Sequence, residues 1–127
     1  MKKIISTDKA PKAIGPYSQA VYIGGHLYVS GQLPINAETG KMPEGIAAQT
    51  EQALKNVMAI LTEAKFTADD VVKCTVLLKD IKDFAAMNEV YAKYYTNKPP
   101  ARAAYEVANL PLGALIEIET IAMQFCK

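Results

Sequence analysis

Three charged side chains near the C-terminal end of the chain have the types and spacing to act on a small carboxylate. Arg102 stands among alanines, and Glu117 and Glu119 follow in the same region. A guanidinium presents a planar fork of donors that matches a carboxylate, and a glutamate can orient or deprotonate a water molecule. An arginine on a strand is also commonly a surface charge or the ion-pair partner of a glutamate such as Glu117 or Glu119. The residue types alone leave both interpretations open.

Two predicted strands position these side chains. Prolines before residue 101 and at Pro111 exclude helix, so residues 101–107 and 115–123 are predicted to form a final strand pair, joined by a turn around Gly113. Side chains alternate between the faces of a strand. The alternation places on one face Arg102, Ala104 and Glu106 of the first strand, and on one face Glu117 and Glu119 of the second.

Short motifs occur in a specific order over nearly the whole chain. Residues 100–122 follow the pattern P-A-R-x-x-x-x-V-x-x-L-P-x-x-x-x-x-E-I-E-x-I-A. Earlier motifs are AIGPYSQA at 13–20, SGQLP at 30–34, DVVKCTV at 70–76 and FAAMNEVY at 84–91. This ordered set closely resembles the RidA/YjgF/UK114 family of small imine deaminases.

The resemblance implies a role for six residues. In the family, the arginine matching Arg102 holds the substrate carboxylate, and the glutamate matching Glu117 positions the attacking water. The substrate pocket is lined by the residues that match Tyr17, Ser30, Gly31 and Asn88. All six positions keep the expected residue types. Many relatives have a cysteine where this chain has Ala104, so no inference about pocket shape or thiol chemistry is carried over from that sulfur.

The implied reaction is hydrolysis of short 2-imino acids, such as 2-iminobutanoate and 2-iminopropanoate, to 2-keto acids and ammonia. It clears reactive metabolites that arise from 2-aminoacrylate and related enamines. No cofactor, metal or covalent intermediate is expected, because a free imine already hydrolyses in water and needs only positioning and acid–base help. Two alternatives are a non-catalytic protein that binds or senses small carboxylates, and a family member with ribonuclease or chaperone-like activity.

Three residues also have structural interpretations when the resemblance is set aside. Gly31 is typical of a bulge or strand end, although it can also let a ligand approach the backbone. Asn88 lies at the border of a helix's apolar stripe and is interpreted as a structural polar residue. His26 is interpreted as a solvated histidine beside a turn and is not included in the site.

Composition disfavours several function classes. A chain of 127 residues, half of them hydrophobic, is expected to form one domain over residues 1–127. The net charge is +1, and the lysines are scattered along the chain without forming a basic stripe. Nucleic acid is therefore not expected as a partner. The chain has no apolar run typical of a signal peptide or membrane span, which predicts a cytoplasmic protein. A single histidine and two separated cysteines, Cys74 and Cys126, make a zinc site unexpected.

Periodicity predicts an α+β fold with a mainly antiparallel sheet and two helices packed on one face. The predicted elements are a strand at Lys3–Ser6, a hairpin of 21–23 and 26–29 around Gly24-Gly25, a helix at Ile46–Lys65, a strand at Val71–Leu78, and a helix that begins at Asp80–Asp83 with the stripe Phe84, Met87, Tyr91 and Tyr94. The arrangement resembles the chorismate-mutase-like fold of the family.

The apolar strand Val71–Leu78 indicates that the protein assembles with itself. Its mostly apolar composition predicts burial on both faces, whereas two helices cover only one face of a sheet. Another copy of the chain is the simplest cover for the second face. The family resemblance specifies a homotrimer with sites between subunits.

Overall fold

A computed structural model describes residues 1–125 of the chain, so Cys126 lies outside the described residues. It contains two α-helices and six strands: β1 (Lys3–Ile5), β2 (Ala20–Ile23), β3 (His26–Gln32), α1 (Ile46–Glu63), β4 (Val71–Leu78), α2 (Phe84–Tyr94), β5 (Ala101–Glu106) and β6 (Ile116–Met123). Short 3₁₀ turns precede β4, α2 and β6. The predicted α+β class, with two helices on a mainly antiparallel sheet, is confirmed.

Local chemistry accounts for two boundaries. Gly24 and Gly25 have φ angles of 54° and 84°, which suit the tight turn between β2 and β3. Asp80 caps the turn before α2, where its carboxylate accepts a hydrogen bond of 2.9 Å from the backbone N–H of Lys82. The hairpin was predicted from the sequence. A helix was predicted to begin at Asp80–Asp83, but a 3₁₀ turn occupies Ile81–Asp83 and α2 begins at Phe84.

The strand order is β1-β2-β3-β6-β4-β5, and only the β4–β5 pairing is parallel. The predicted final strand pair is therefore wrong, because β4 lies between β5 and β6. The connection between β5 and β6 crosses the end of β4 instead of forming a hairpin. Its backbone is tied there by hydrogen bonds from Val107 to Leu78 and from Lys79 to Leu115, of 2.9 and 3.0 Å.

Both helices pack on one face of the sheet. The largest fully buried apolar side chains come from the helices and from alternate positions of the central strands: Leu54, Val57, Ile60, Leu61, Met87, Leu27, Val76, Leu78, Ile116 and Ile118. Among residues 1–125 no helix is long and apolar enough to cross a membrane.

The opposite face of the sheet, which we call the open face, is not covered by any helix or strand within residues 1–125. On β4, Thr75 and Leu77 are half-buried and Lys73 is exposed, so the predicted burial of this strand on both faces is not achieved by a single copy. Apolar side chains on the open face are correspondingly exposed: Ile4, Ile23, Tyr28, Tyr105 and Met123.

Candidate functional site

Arg102 lies on the face of the sheet that the helices cover. Residues paired across neighbouring strands point to the same face, and Arg102 is paired with Cys74, which is fully buried beneath the helices. Because β5 is the edge strand, the arginine side chain reaches α2 at the border of the core and is half-buried. The charged group is thus held between an edge strand and a helix.

Among residues 1–125, the guanidinium of Arg102 contacts an amide group and two aromatic rings, all of them uncharged. Its Nη1 donates a hydrogen bond of 2.6 Å to the Oδ1 atom of Asn88. Its Cζ atom lies 4.8 Å from the ring centroid of Tyr91 and 5.3 Å from that of Phe84. One of its five N–H donors is therefore used, and its positive charge is not neutralised by these contacts.

Glu117 lies on the open face, opposite to Arg102. It pairs with Leu77, and Glu119 pairs with Thr75, so both carboxylates point away from the helices. Neither can form an ion pair with Arg102 within the same chain, because the sheet separates them. The interpretation of Arg102 as the partner of one of these glutamates is therefore wrong for a single copy.

Gly31 makes room for the carboxylate of Glu117. A Cβ atom added at residue 31 would overlap this carboxylate and would lie 2.9 Å from its carboxyl carbon. Gly31 also falls where the β3–β6 register shifts between Val29 and Gln32, as the bulge interpretation predicts. Because residue 31 has no side chain, the Glu117 carboxylate can lie directly over its backbone at the position of the bulge.

The environment of Glu117 raises the pKa of its carboxyl group. Burial is the main cause, and the negative charge of nearby Glu119 adds to it, so the pKa of the Glu117 carboxyl is raised above its ordinary value. A carboxyl with a raised pKa can both accept and return a proton closer to neutral pH than a solvated glutamate can.

Ser30 directly precedes Gly31, and its hydrogen bonds hold the loop that carries Tyr17. The hydroxyl of Ser30 donates a hydrogen bond of 2.6 Å to the carbonyl of Ser18, and the Ser30 N–H donates one of 2.9 Å to the carbonyl of Gln19. These bonds attach the loop that carries Tyr17 to the end of β3. The Tyr17 side chain itself is 53% exposed, so it is free to contact a ligand or another copy.

The six predicted residues thus form two groups within one chain. The helix-face set contains Asn88 and Arg102. The second group, called the open-face set, contains Glu117 and Gly31 on the open face, with Ser30 and the loop residue Tyr17 attached to them through the hydrogen bonds of Ser30. The strands of Arg102 and Glu117 are two spacings apart, about 10 Å, and the side chains leave opposite faces. Ala104 is half-buried on the face of Arg102. One chain by itself does not bring the two sets together.

Sequence reasoning missed the aromatic contacts of Arg102. Phe84 and Tyr91 were assigned only to the core stripe of α2. Together with Asn88 they occupy helix positions i, i+4 and i+7, which share one face. That spacing was the available signal.

Among residues 1–125 no group of three or more His, Cys, Asp or Glu side chains is placed to hold a metal ion.

Comparisons with known proteins agree with this arrangement of motifs. The family described as Endoribonuclease L-PSP matches residues 7–124. A RutC family protein of Pyrococcus horikoshii is 54% identical, covering 96% of this chain and 98% of that protein. The 2-iminobutanoate/2-iminopropanoate deaminase of Bos taurus is 52% identical, and the match covers 98% of this chain and 91% of that protein. The crystal structure of E. coli TdcF with bound serine is 41% identical, with a TM-score of 0.94 and coverage of 96% and 98%. The chain belongs to the RidA/YjgF/UK114 family.

Proposed function

We propose that this protein hydrolyses short 2-imino acids to 2-keto acids and ammonia, and so removes reactive imines. The observation that carries the proposal is the Arg102 guanidinium, which is half-buried, held by the uncharged groups of Asn88, Tyr91 and Phe84, and left with free donors. Such a group attracts an anion, and its planar fork suits a carboxylate. Relatives named as imino acid deaminases, at about half identity, support the choice of substrate.

Glu117 would handle the water in this reaction. The carboxylate takes a proton from water while the water oxygen bonds to the imine carbon, and it returns that proton to the nitrogen, which gives a carbinolamine. The carboxylate then takes the hydroxyl proton as the carbon–oxygen double bond forms and passes it to the nitrogen, so that the carbon–nitrogen bond breaks and ammonia leaves. The raised pKa of Glu117 suits both the uptake of a proton from oxygen and its return to nitrogen. Arg102 holds the carboxylate throughout, so water and imine are kept in reacting geometry.

The separation of the two sets supports a site shared between two copies of the chain. A substrate of this size cannot contact Arg102 and Glu117 of one chain, since the sheet lies between them. The exposed apolar open face, with Ile23, Tyr28 and Met123, favours burial against another copy. We propose a homotrimer in which the helix-face set of one copy meets the open-face set of the next. A cytoplasmic location remains a prediction from the sequence.

Mixing two inactive variants tests both the residues and the sharing. We expect Arg102→Ala and Glu117→Gln each to have little activity alone. When equal amounts are co-refolded or co-expressed, a site is complete only where an intact Glu117 meets an intact Arg102 from the neighbour. Random assembly gives about a quarter of such sites, so about a quarter of wild-type activity should return.

A matched control uses two defects in the same half of the site. Mixed Arg102→Ala and Arg102→Lys chains cannot form a complete site and should show no recovery. Native mass spectrometry of each preparation reports the number of copies. A monomeric wild type, or no recovery in mixed trimers of Arg102→Ala and Glu117→Gln, would contradict the shared site. A wild type that does not hydrolyse 2-iminobutanoate would contradict the proposed reaction.

The family description supports a second candidate, cleavage of RNA. The same wild-type preparation incubated with a labelled single-stranded RNA tests it. We expect no cleavage above that of the Arg102→Ala and Glu117→Gln variants. Binding of a 2-keto acid without any imine hydrolysis would instead favour a sensor of small carboxylates.

A further inference from the structure

We infer that Tyr91 is a positioning residue for Arg102, and that it acts through the face of its ring and not through its hydroxyl. This inference rests on the proposed function, because it concerns how firmly the carboxylate clamp is held. Tyr91 would not touch the substrate. It would set the orientation of the guanidinium that does.

The first observation is the set of three contacts around the guanidinium. The ring of Tyr91 lies 4.8 Å from the Arg102 Cζ atom, Phe84 lies at 5.3 Å, and Asn88 accepts a hydrogen bond of 2.6 Å. Aromatic faces attract cations because of their ring quadrupole. Two rings and one hydrogen bond together restrict the plane of the guanidinium, so its remaining donors keep one direction.

The second observation concerns what lies behind the ring. Tyr91 is only 6% exposed, and its ring centroid is 4.8 Å from that of Tyr95, which is equally buried. The Cys74 thiol, which faces Arg102 across the β4–β5 pairing, lies 3.7 Å from the Tyr95 hydroxyl. The Tyr91 ring is therefore confined between the core and the cation, which makes it a rigid support.

The third observation separates the ring from its hydroxyl. The buried Tyr91 hydroxyl has no hydrogen-bond partner in the described part of the chain. Burial mainly, and the nearby Cys74 thiol in addition, raise the pKa of Tyr91, so the phenol stays neutral and forms no ion pair with Arg102. Within the described residues, the hydroxyl therefore makes no hydrogen bond that would hold the guanidinium, whereas the ring face contacts it.

Substitutions at residue 91 test the ring against the hydroxyl. Tyr91→Leu keeps an apolar side chain but removes the aromatic face, and Tyr91→Phe keeps the face. We expect Tyr91→Leu to raise the Kd for 2-ketobutanoate and the KM for 2-iminobutanoate by roughly 3- to 30-fold. Its kcat should change by less than about twofold, because the clamp binds ground state and transition state alike. Tyr91→Phe should recover the affinity that leucine loses.

Tyr94→Leu is the matched control, because Tyr94 is a half-buried tyrosine of the same helix that packs against the core. It should leave Kd unchanged even where it lowers Tm. A double-mutant cycle then asks whether Tyr91 acts through Arg102: in an Arg102→Ala background, Tyr91→Leu should weaken 2-ketobutanoate binding no further. Circular dichroism reports the folded fraction, so that Kd and kcat refer to folded protein.

Three outcomes would overturn the inference. They are an unchanged Kd in folded Tyr91→Leu, a loss of affinity in Tyr91→Phe as large as in Tyr91→Leu, or an undiminished effect of Tyr91→Leu in the Arg102→Ala background. Each can occur while the wild type hydrolyses 2-iminobutanoate, so the proposed function would stand. A wild type that neither binds 2-ketobutanoate nor hydrolyses the imine would instead remove the proposed function and this inference together.

Discussion

Arg102 and Glu117 carry opposite charges on strands of the same sheet, yet their surroundings differ. Arg102 lies beneath α2, where an amide oxygen and two aromatic rings hold it. Glu117 lies on the open face, where its carboxylate rests over Gly31 and beside a second carboxylate, Glu119. The cation is held by neutral groups, whereas the anion is partly desolvated and near a like charge.

This difference keeps two opposite charges apart within one copy of the chain. If both side chains left the same face, they could neutralise each other as an ion pair. The sheet prevents this within one copy. The guanidinium therefore keeps its charge for an anion, and the raised pKa of Glu117 keeps its carboxyl able to exchange protons.

Removing the guanidinium should cause the largest loss. A charge-assisted contact to a carboxylate is worth about 2–4 kcal/mol, so Arg102→Ala should lower kcat/KM for 2-iminobutanoate by roughly 30- to 1000-fold. Arg102→Lys keeps the charge without the fork and should lose less. Activity, Tm and oligomer mass are measured on the same preparations. A folded Arg102→Ala protein with near-normal activity would show that Arg102 is not the clamp.

Replacing the carboxylate of Glu117 should affect turnover more than binding. Glu117→Gln keeps the shape but cannot accept a proton, so kcat should fall by about 100-fold, near the low end of acid–base catalysis because imines hydrolyse unaided. Binding of 2-ketobutanoate should persist or tighten, which titration calorimetry measures. Glu119→Gln is the matched control on the same face. Unchanged turnover in Glu117→Gln would make Glu117 a structural residue.

A methyl group at residue 31 tests whether the position of the Glu117 carboxylate matters. The backbone of Gly31 does not need a positive φ, so alanine fits the chain but displaces the carboxylate. We expect kcat to fall by about tenfold with Tm close to that of the wild type. Steady-state kinetics and thermal unfolding distinguish this from misfolding. Full activity of Gly31→Ala would mean that the carboxylate tolerates displacement.

The smallest effect should be a shift in pH dependence. Activity that needs ionised Glu117 rises with pH as the carboxyl loses its proton, so the midpoint of the acid limb reports its pKa. Glu119 raises that pKa, so Glu119→Gln should move the midpoint to lower pH. Because burial is the larger cause and remains, the pKa of Glu117 in this variant should still lie above that of a solvated glutamate. A midpoint that stays in place, or moves to higher pH, would contradict the influence of Glu119 on the pKa of Glu117.

Much of the local structure could be predicted because it depends on neighbouring residues. Gly24-Gly25 specified the β2–β3 hairpin, and the apolar run Val71–Leu78 specified β4 with the bounds that the structure has. The residues Asp80–Asp83 located the start of the second helix to within one 3₁₀ turn. Alternation also predicted correctly that Glu117 and Glu119 share a face. The six predicted site residues could be named through the family motifs, although their roles stay predictions.

The sequence by itself determined approximately where the strands and helices lie and which side chains of each strand point the same way, since propensity, capping and alternation act over a few residues. The tertiary structure alone decided that β4 separates β5 from β6, because pairing between distant strands depends on the packing of the whole sheet. It also decided that Arg102 faces α2 while Glu117 faces away, and that Phe84 and Tyr91 border the guanidinium. Alternation says which residues share a face but not which face the helices cover, and that choice follows from burial of the common core.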